Sequence, residues 1–197
     1  MNKTRLALLF LAMSFAASSA YAQVINFDDL PSFTQISNGY AGLNWEHFAV
    51  VDVVDNNSSM LGMMGIPYRN GIVSSPNVAY NGWATPGTFS SGTAFNLVSG
   101  YFTAVWSGGT FTATANTGAT LTQAINTSTP TLISFNWNNV NSVTFTPNGG
   151  SQFALDNLMV TAVPEPEEYG MMLLGFGMVG YQIKRKRKQK MAALTAA

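Results

Sequence analysis

Apolar and polar positions alternate with a period of two in short runs through the middle of the chain. In TLISFNW, Ile133, Phe135 and Trp137 share one side, and Leu132, Ser134 and Asn136 the other. A half-buried strand has this pattern, and the first set is its core face. Val143 and Phe145 repeat it in SVTFT. Further strand-like runs are VINF, FAVVDVV, NVAY, AFNLVSGYFTAVW, TFTATAN, TLTQAIN and FALDNLMVTAV. Between the runs stand Asn38-Gly39, Asn70-Gly71, Asn81-Gly82, Gly108-Gly109 and Asn148-Gly149. Asn-Gly is favoured where both turn residues take positive φ, as in type I′ hairpins. No window sustains the helical period, apart from a short turn expected at SFTQIS with Ser32 as its cap. Many short strands at this spacing predict an all-β fold, an antiparallel β-sandwich of jelly-roll or galactose-binding-like form.

The two ends break the pattern. MNKTR is followed by LALLFLAMSFAASS and then by small residues at Ala20 and Ala22, the three-part layout of a secretory signal. It predicts cleavage before Gln23. Near the other end, Tyr169–Ile183 is an apolar segment of 15 residues bounded by Glu168 and Lys184. As a helix it would be about 22 Å long, against a bilayer core of about 30 Å. Tyr169, Tyr181 and the lysine stems extend such a span into the interfaces. The expected domains are a signal peptide at 1–22, a secreted sandwich at 23–163, a linker at 164–168, a transmembrane helix at 169–183 and a basic cytoplasmic tail at 184–197.

Charge sharpens this division. Nine Lys and Arg balance nine Asp and Glu, but only Arg69 of the bases lies between Gln23 and Val163. Six acids share that stretch, a net charge of −5. Nucleic-acid binding by the middle is excluded on this ground, since phosphate contacts need Lys and Arg. The chain has no cysteine, so no disulfide framework or thiolate site exists.

The triplet Pro164, Glu165, Pro166, the short Gly- and Leu-rich span and the basic cluster from Lys184 together resemble the PEP-CTERM sorting signal of Gram-negative bacteria. The resemblance implies processing by an exosortase, passage through the inner membrane and a cell-surface or exopolysaccharide-matrix fate. A plain membrane anchor without processing is the alternative. INFDDL, NGYAGLNWEHFAVVD, NGIVSSPNVAYN and FALDNLMV also resemble a domain found upstream of many such signals. That domain class looks like the carbohydrate-binding β-sandwiches. The implied role is structural or adhesive within exopolysaccharide or biofilm, or else carbohydrate recognition at a defined glycan site.

Candidate chemistry is sparse. The one histidine, His47, follows Glu46, and strand alternation would put the two side chains on opposite faces. Asp52 and Asp55 would likewise face apart. No nucleophile-elbow motif occurs, so no enzyme is expected. Asp28 and Asp29 near the first strand and Asp156 and Asn157 in the last would meet if those strands are neighbours. They would then offer oxygen ligands to a structural calcium. The other reading makes Asp28 and Asp29 solvated turn residues and Asp156 the cap of a bend. For carbohydrate, Tyr68, Arg69 and Trp83 stand in loop contexts and are the candidates, because sugar C–H faces pack on aromatic rings while hydroxyls need polar partners. Trp137 is expected in the core and Trp106 at a strand end.

Overall fold

The computed structural model describes residues 22–54, 67–149, 151–163 and 166–195. Tyr21–Val163 forms one compact unit, and the C-terminal helix belongs to another. Ala20, Pro164 and Glu165 lie outside the described residues, as does the expected signal segment up to Tyr21.

The β unit holds ten strands: β1 (Ala22–Ile25), β2 (Thr34–Gln35), β3 (Asn44–Glu46), β4 (Phe48–Asp52), β5 (Asn77–Asn81), β6 (Gly87–Ala104), β7 (Gly109–Ala115), β8 (Thr120–Ile125), β9 (Thr131–Asn148) and β10 (Phe153–Ala162). Every pairing is antiparallel. The order is β2-β4-β5-β10-β6-β9-β7-β8, with β1 beside β10 and β3 beside β6. This is the expected all-β antiparallel class. The expected first cleaved-product residue, Gln23, sits in β1 opposite Val160, one position after Ala22 opposite Thr161.

The sheet folds back on itself. β7 and β10 are three strands apart in the order, about 14 Å at strand spacing. Yet the Phe111 and Phe153 ring centroids are 5.8 Å apart. β6 and β9 make the fold-back. Thr88–Ser90 of β6 lie between β3 and β9. From Phe95 onward, β6 lies between β9 and β10; one register shift against β9 falls between these two segments, at Ser90/Phe95, and further shifts follow between Phe95 and Ser99. Bulges of this kind bend a strand and let it serve two layers. The enclosed core is aromatic, with Phe89, Phe102, Phe111, Phe145 and Phe153 all buried. Ile133, Phe135, Val143 and Phe145 face it as alternation predicted, while Leu132 is exposed and Trp137 packs at the core margin.

A second apolar cluster lies apart from this core. Val51, Val53, Val78, Val105 and Ala154 bury Tyr68, with Ile72 and Tyr80 packed against them. Gly71 permits the close approach: a Cβ there would lie 2.6 Å from the Ala154 Cβ. Asn70-Gly71 is therefore a packing feature. The type I′ expectation fails generally, since positive φ falls on Gly39 and Gly149 without their asparagines, and on neither Gly71 nor Gly82. Within SFTQIS, Ser32 and Phe33 form a turn, but Thr34–Gln35 continue as strand β2 rather than as a helical turn, and the Ser32 hydroxyl accepts from the Asp52 amide at 2.9 Å.

The helix α1 runs from Pro166 to Thr195, through the basic cluster without a break. Its ends are thus not those of the expected span at 169–183. Among the described residues, no helix is long and apolar enough to cross a membrane.

Candidate functional site

Between β3 and β4 the chain turns a corner at His47, whose φ is +59°. That left-handed residue breaks the strand alternation. Glu46 and His47 therefore do not face apart as expected: their Oε1 and Nε2 atoms are 4.0 Å from each other, both side chains exposed. The His47 ring is oriented by Nδ1, which donates to the Pro86 carbonyl at 3.0 Å. The His47 carbonyl in turn accepts from the Gly82 amide at 2.7 Å.

Gly82 opens a tight turn whose next two residues, Trp83 and Ala84, have φ of +58° and +56°. For residues with a Cβ this conformation costs roughly 1–2 kcal/mol each. The turn is held by its surroundings. Thr85 donates to the Gly82 carbonyl from both its amide and its hydroxyl, and the buried Asn81 side chain donates to the Thr85 carbonyl at 3.0 Å. Asn81 is itself fixed, because its Oδ1 accepts the Phe153 amide at 2.7 Å. The strained turn leaves the Trp83 indole 90% exposed. Backbone strain that the surroundings enforce is characteristic of functional sites. Glu46 lines a shallow groove of about 290 Å³ together with Asn38, Asn44, Trp45, Thr88 and Ser90. Trp45 closes its floor from the core side, with its backbone amide on Asn38 Oδ1 at 2.8 Å. The Trp83 turn meets this region through the backbone, by the bond from the Gly82 amide to the carbonyl of His47, the neighbour of Glu46. An exposed indole can pack the C–H face of a sugar, and the carboxylate, amide and hydroxyl groups of the groove can bond sugar hydroxyls.

Tyr68 and Arg69 do not join Trp83 in this arrangement. Tyr68 is 2% exposed, and its hydroxyl donates to Gln152 Oε1 at 2.6 Å. Burial raises its phenol pKa above the ordinary tyrosine value. The Trp106 Nε1 donates to the same Gln152 oxygen at 2.8 Å, and Gln152 Nε2 donates to the Asn81 carbonyl. Tyr80 packs on Tyr68 with ring centroids 5.0 Å apart. Arg69 donates from Nε to the Val53 carbonyl at 3.0 Å. These side chains secure the 67–76 segment. Gln152 gave no signal in the sequence, being one more amide in a polar loop.

The expected calcium ligands are engaged with protein donors. β1 and β10 do pair, as the ligand idea required. However, the fully buried Asp156 carboxylate accepts from the Val73 and Ser74 amides at 2.7 and 2.8 Å. It also accepts from the Ser74 hydroxyl and the Asn157 amide. Asn157 Oδ1 accepts from that same hydroxyl. Asp28 accepts the Asn77 amide at 3.0 Å, and Asp29 accepts the Tyr40 hydroxyl at 2.7 Å. Among the described residues, no group of three or more acidic or histidine side chains is placed to hold a metal.

Comparison with known proteins gives structural likenesses only. No family model matches the chain, and no curated protein does. The N-terminal CBM22-1–CBM22-2 tandem domain from Paenibacillus barcinonensis Xyn10C aligns over 76% of this chain and 48% of its own, at 11% identity and a TM-score of 0.43. The chain thus spans about half the length of that structure. The CBM22-1 xylan-binding domain of the same protein aligns over 76% of this chain and 99% of its own, at 10% identity and a TM-score of 0.41. At such scores the fold rests on the strand pairing described above.

Proposed function

We propose that the β unit is a non-catalytic glycan-recognition domain, of galactose-binding-like form, that works outside the cell. The observation that carries this is Trp83, 90% exposed on a turn with two consecutive left-handed residues beside Glu46 and His47. A sugar face is a fitting partner for an apolar ring held in water at a cost in backbone strain, and the groove at Glu46 offers groups that bond hydroxyls. The domain's excess of acids favours a glycan without acidic groups. Surface-matrix residence then makes the recognition adhesive within exopolysaccharide. The test is glycan-array binding by the full chain, where saturable binding is expected. Trp83→Ala is expected to abolish it while the melting temperature holds, and saturable binding kept by that variant refutes the site.

Sorting through a PEP-CTERM signal is the second part of the proposal. It rests on the order of triplet, apolar segment and basic cluster. The apolar segment of α1 exposes Leu173, Leu174, Phe176, Met178, Val179 and Ile183, which 100° steps spread around the circumference. Such a helix suits an apolar surrounding, with Lys184 and its neighbours held on the cytoplasmic side. Glu165→Ala, or loss of the host's exosortase, is expected to change the size and location of the mature protein. Unchanged size and location in both would leave a plain anchor.

A further inference from the structure

The second layer of the sandwich shows solvent a face of hydroxyl groups that the Trp83 site does not use. Inward positions Phe89, Phe111, Ala113, Val143 and Phe145 are buried, so the alternate positions point outward. Register aligns those positions across strands. One row runs Glu46–Thr88–Thr144–Thr114–Thr120, over β3, β6, β9, β7 and β8. A second runs Thr146–Thr112–Thr122. No register shift interrupts β7 against β8 or β9. Five strands make the first row about 19 Å long. Cross-strand bonds fix the hydroxyls. Thr88 and Thr144 are 2.8 Å apart, Thr112 and Thr122 are 2.9 Å apart, and Asn148 Nδ2 donates to Thr110 and Thr112. Threonine's stiff χ1 adds to this order.

The first row begins at Glu46, whose neighbour His47 accepts, through its carbonyl, the amide of Gly82 that opens the Trp83 turn. The face is thus continuous with the proposed sugar site. It carries no basic side chain, because Arg69 is the one Lys or Arg between Gln23 and Val163. Resting on the glycan reading above, we infer that the threonine face is an extended subsite. A long polysaccharide chain without acidic groups, engaged at Trp83, continues across the strands along the Glu46–Thr120 row and bonds to its hydroxyls. Without a basic side chain the face offers an acidic glycan no ionic contact, and the fixed hydroxyls suit a ligand that offers hydroxyls at regular intervals.

The experiment is isothermal titration of the full chain with a neutral glycan taken from the array, as a disaccharide and as a long oligomer. The variant is Thr114→Val with Thr120→Val and Thr122→Val, which keeps β-branched residues at exposed strand positions and so preserves the fold. Wild type is expected to bind the oligomer about tenfold more tightly than the disaccharide, an increment that a few added hydrogen bonds supply. The triple variant is expected to lose that increment while its disaccharide affinity stays. Disaccharide binding with no dependence on length overturns the inference and leaves the Trp83 site standing. Absence of binding to either ligand overturns both. If wild type inhibits ice recrystallisation and the triple variant does not, again with no length dependence, the face belongs to ordered water and the inference fails.

Discussion

Asp156→Ala is the perturbation whose cost the structure specifies best. The carboxylate is fully buried and takes four donors: the amides of Val73, Ser74 and Asn157 and the Ser74 hydroxyl. Alanine removes the acceptor and leaves the donors behind. A buried donor without a partner costs about 1–3 kcal/mol, but water can reach some of these once the carboxylate is gone. The net loss expected is about 3 kcal/mol, a large share of a domain's usual margin. At a urea slope near 2 kcal/mol/M the midpoint falls by about 1.5 M with the slope unchanged. Ser74→Ala, which removes one hydroxyl donor, is expected to cost about 1 kcal/mol. The pH dependence has a definite sign. Burial raises the Asp156 carboxyl pKa, and the hydrogen bonds oppose that rise. A raised folded-state pKa gives a contribution that is whole below the unfolded value of about 3.9 and declines as pH rises through the folded value. The advantage of wild type over Asp156→Asn is therefore largest in acid and shrinks toward neutrality. Urea unfolding at several pH values measures both effects. A loss under about 1 kcal/mol for Asp156→Ala, or a gap that grows with pH, would refute the reasoning.

Two other outcomes follow from the same structure. A chelator should leave the melting temperature unchanged, because the oxygens of Asp28, Asp29 and Asp156 already accept protein donors; a fall on adding chelator would restore a metal role. Gly87→Ala should cost about 1–3 kcal/mol in urea unfolding, because its Cβ would lie 2.7 Å from the ring of buried Phe48, and a neutral result would show that the ring can yield.

The sandwich was legible because period-two alternation survives in the long strands. Ile133, Phe135, Val143 and Phe145 were assignable to the core from spacing alone. The turns depart from the type I′ expectation because Asn-Gly suits more than one purpose. Asn81 spends its side chain on Phe153 and Thr85, and Gly71 serves a close contact with Ala154. The candidate site was half legible. Trp83 stood out as a loop aromatic, whereas Tyr68 looked equal to it and is buried by a segment that only tertiary packing brings down on β4 and β5. Glu46 and His47 are separated by strand alternation in the sequence pattern, and no sequence rule signals the left-handed residue that brings them together. The threonine face carried no signal of its own in the strand-like runs, because its rows come from the register between strands.

The most direct measurement of the central claim is tryptophan fluorescence during titration with a neutral oligosaccharide. Trp83 is the most exposed indole of the described residues, so covering it with a sugar should shift its emission to shorter wavelength, with saturation. Trp83→Ala is expected to remove that shift, while Trp106→Phe, which alters the partly exposed indole bonded to Gln152, is expected to keep it. A saturable shift that persists in Trp83→Ala, or vanishes only in Trp106→Phe, would contradict the account.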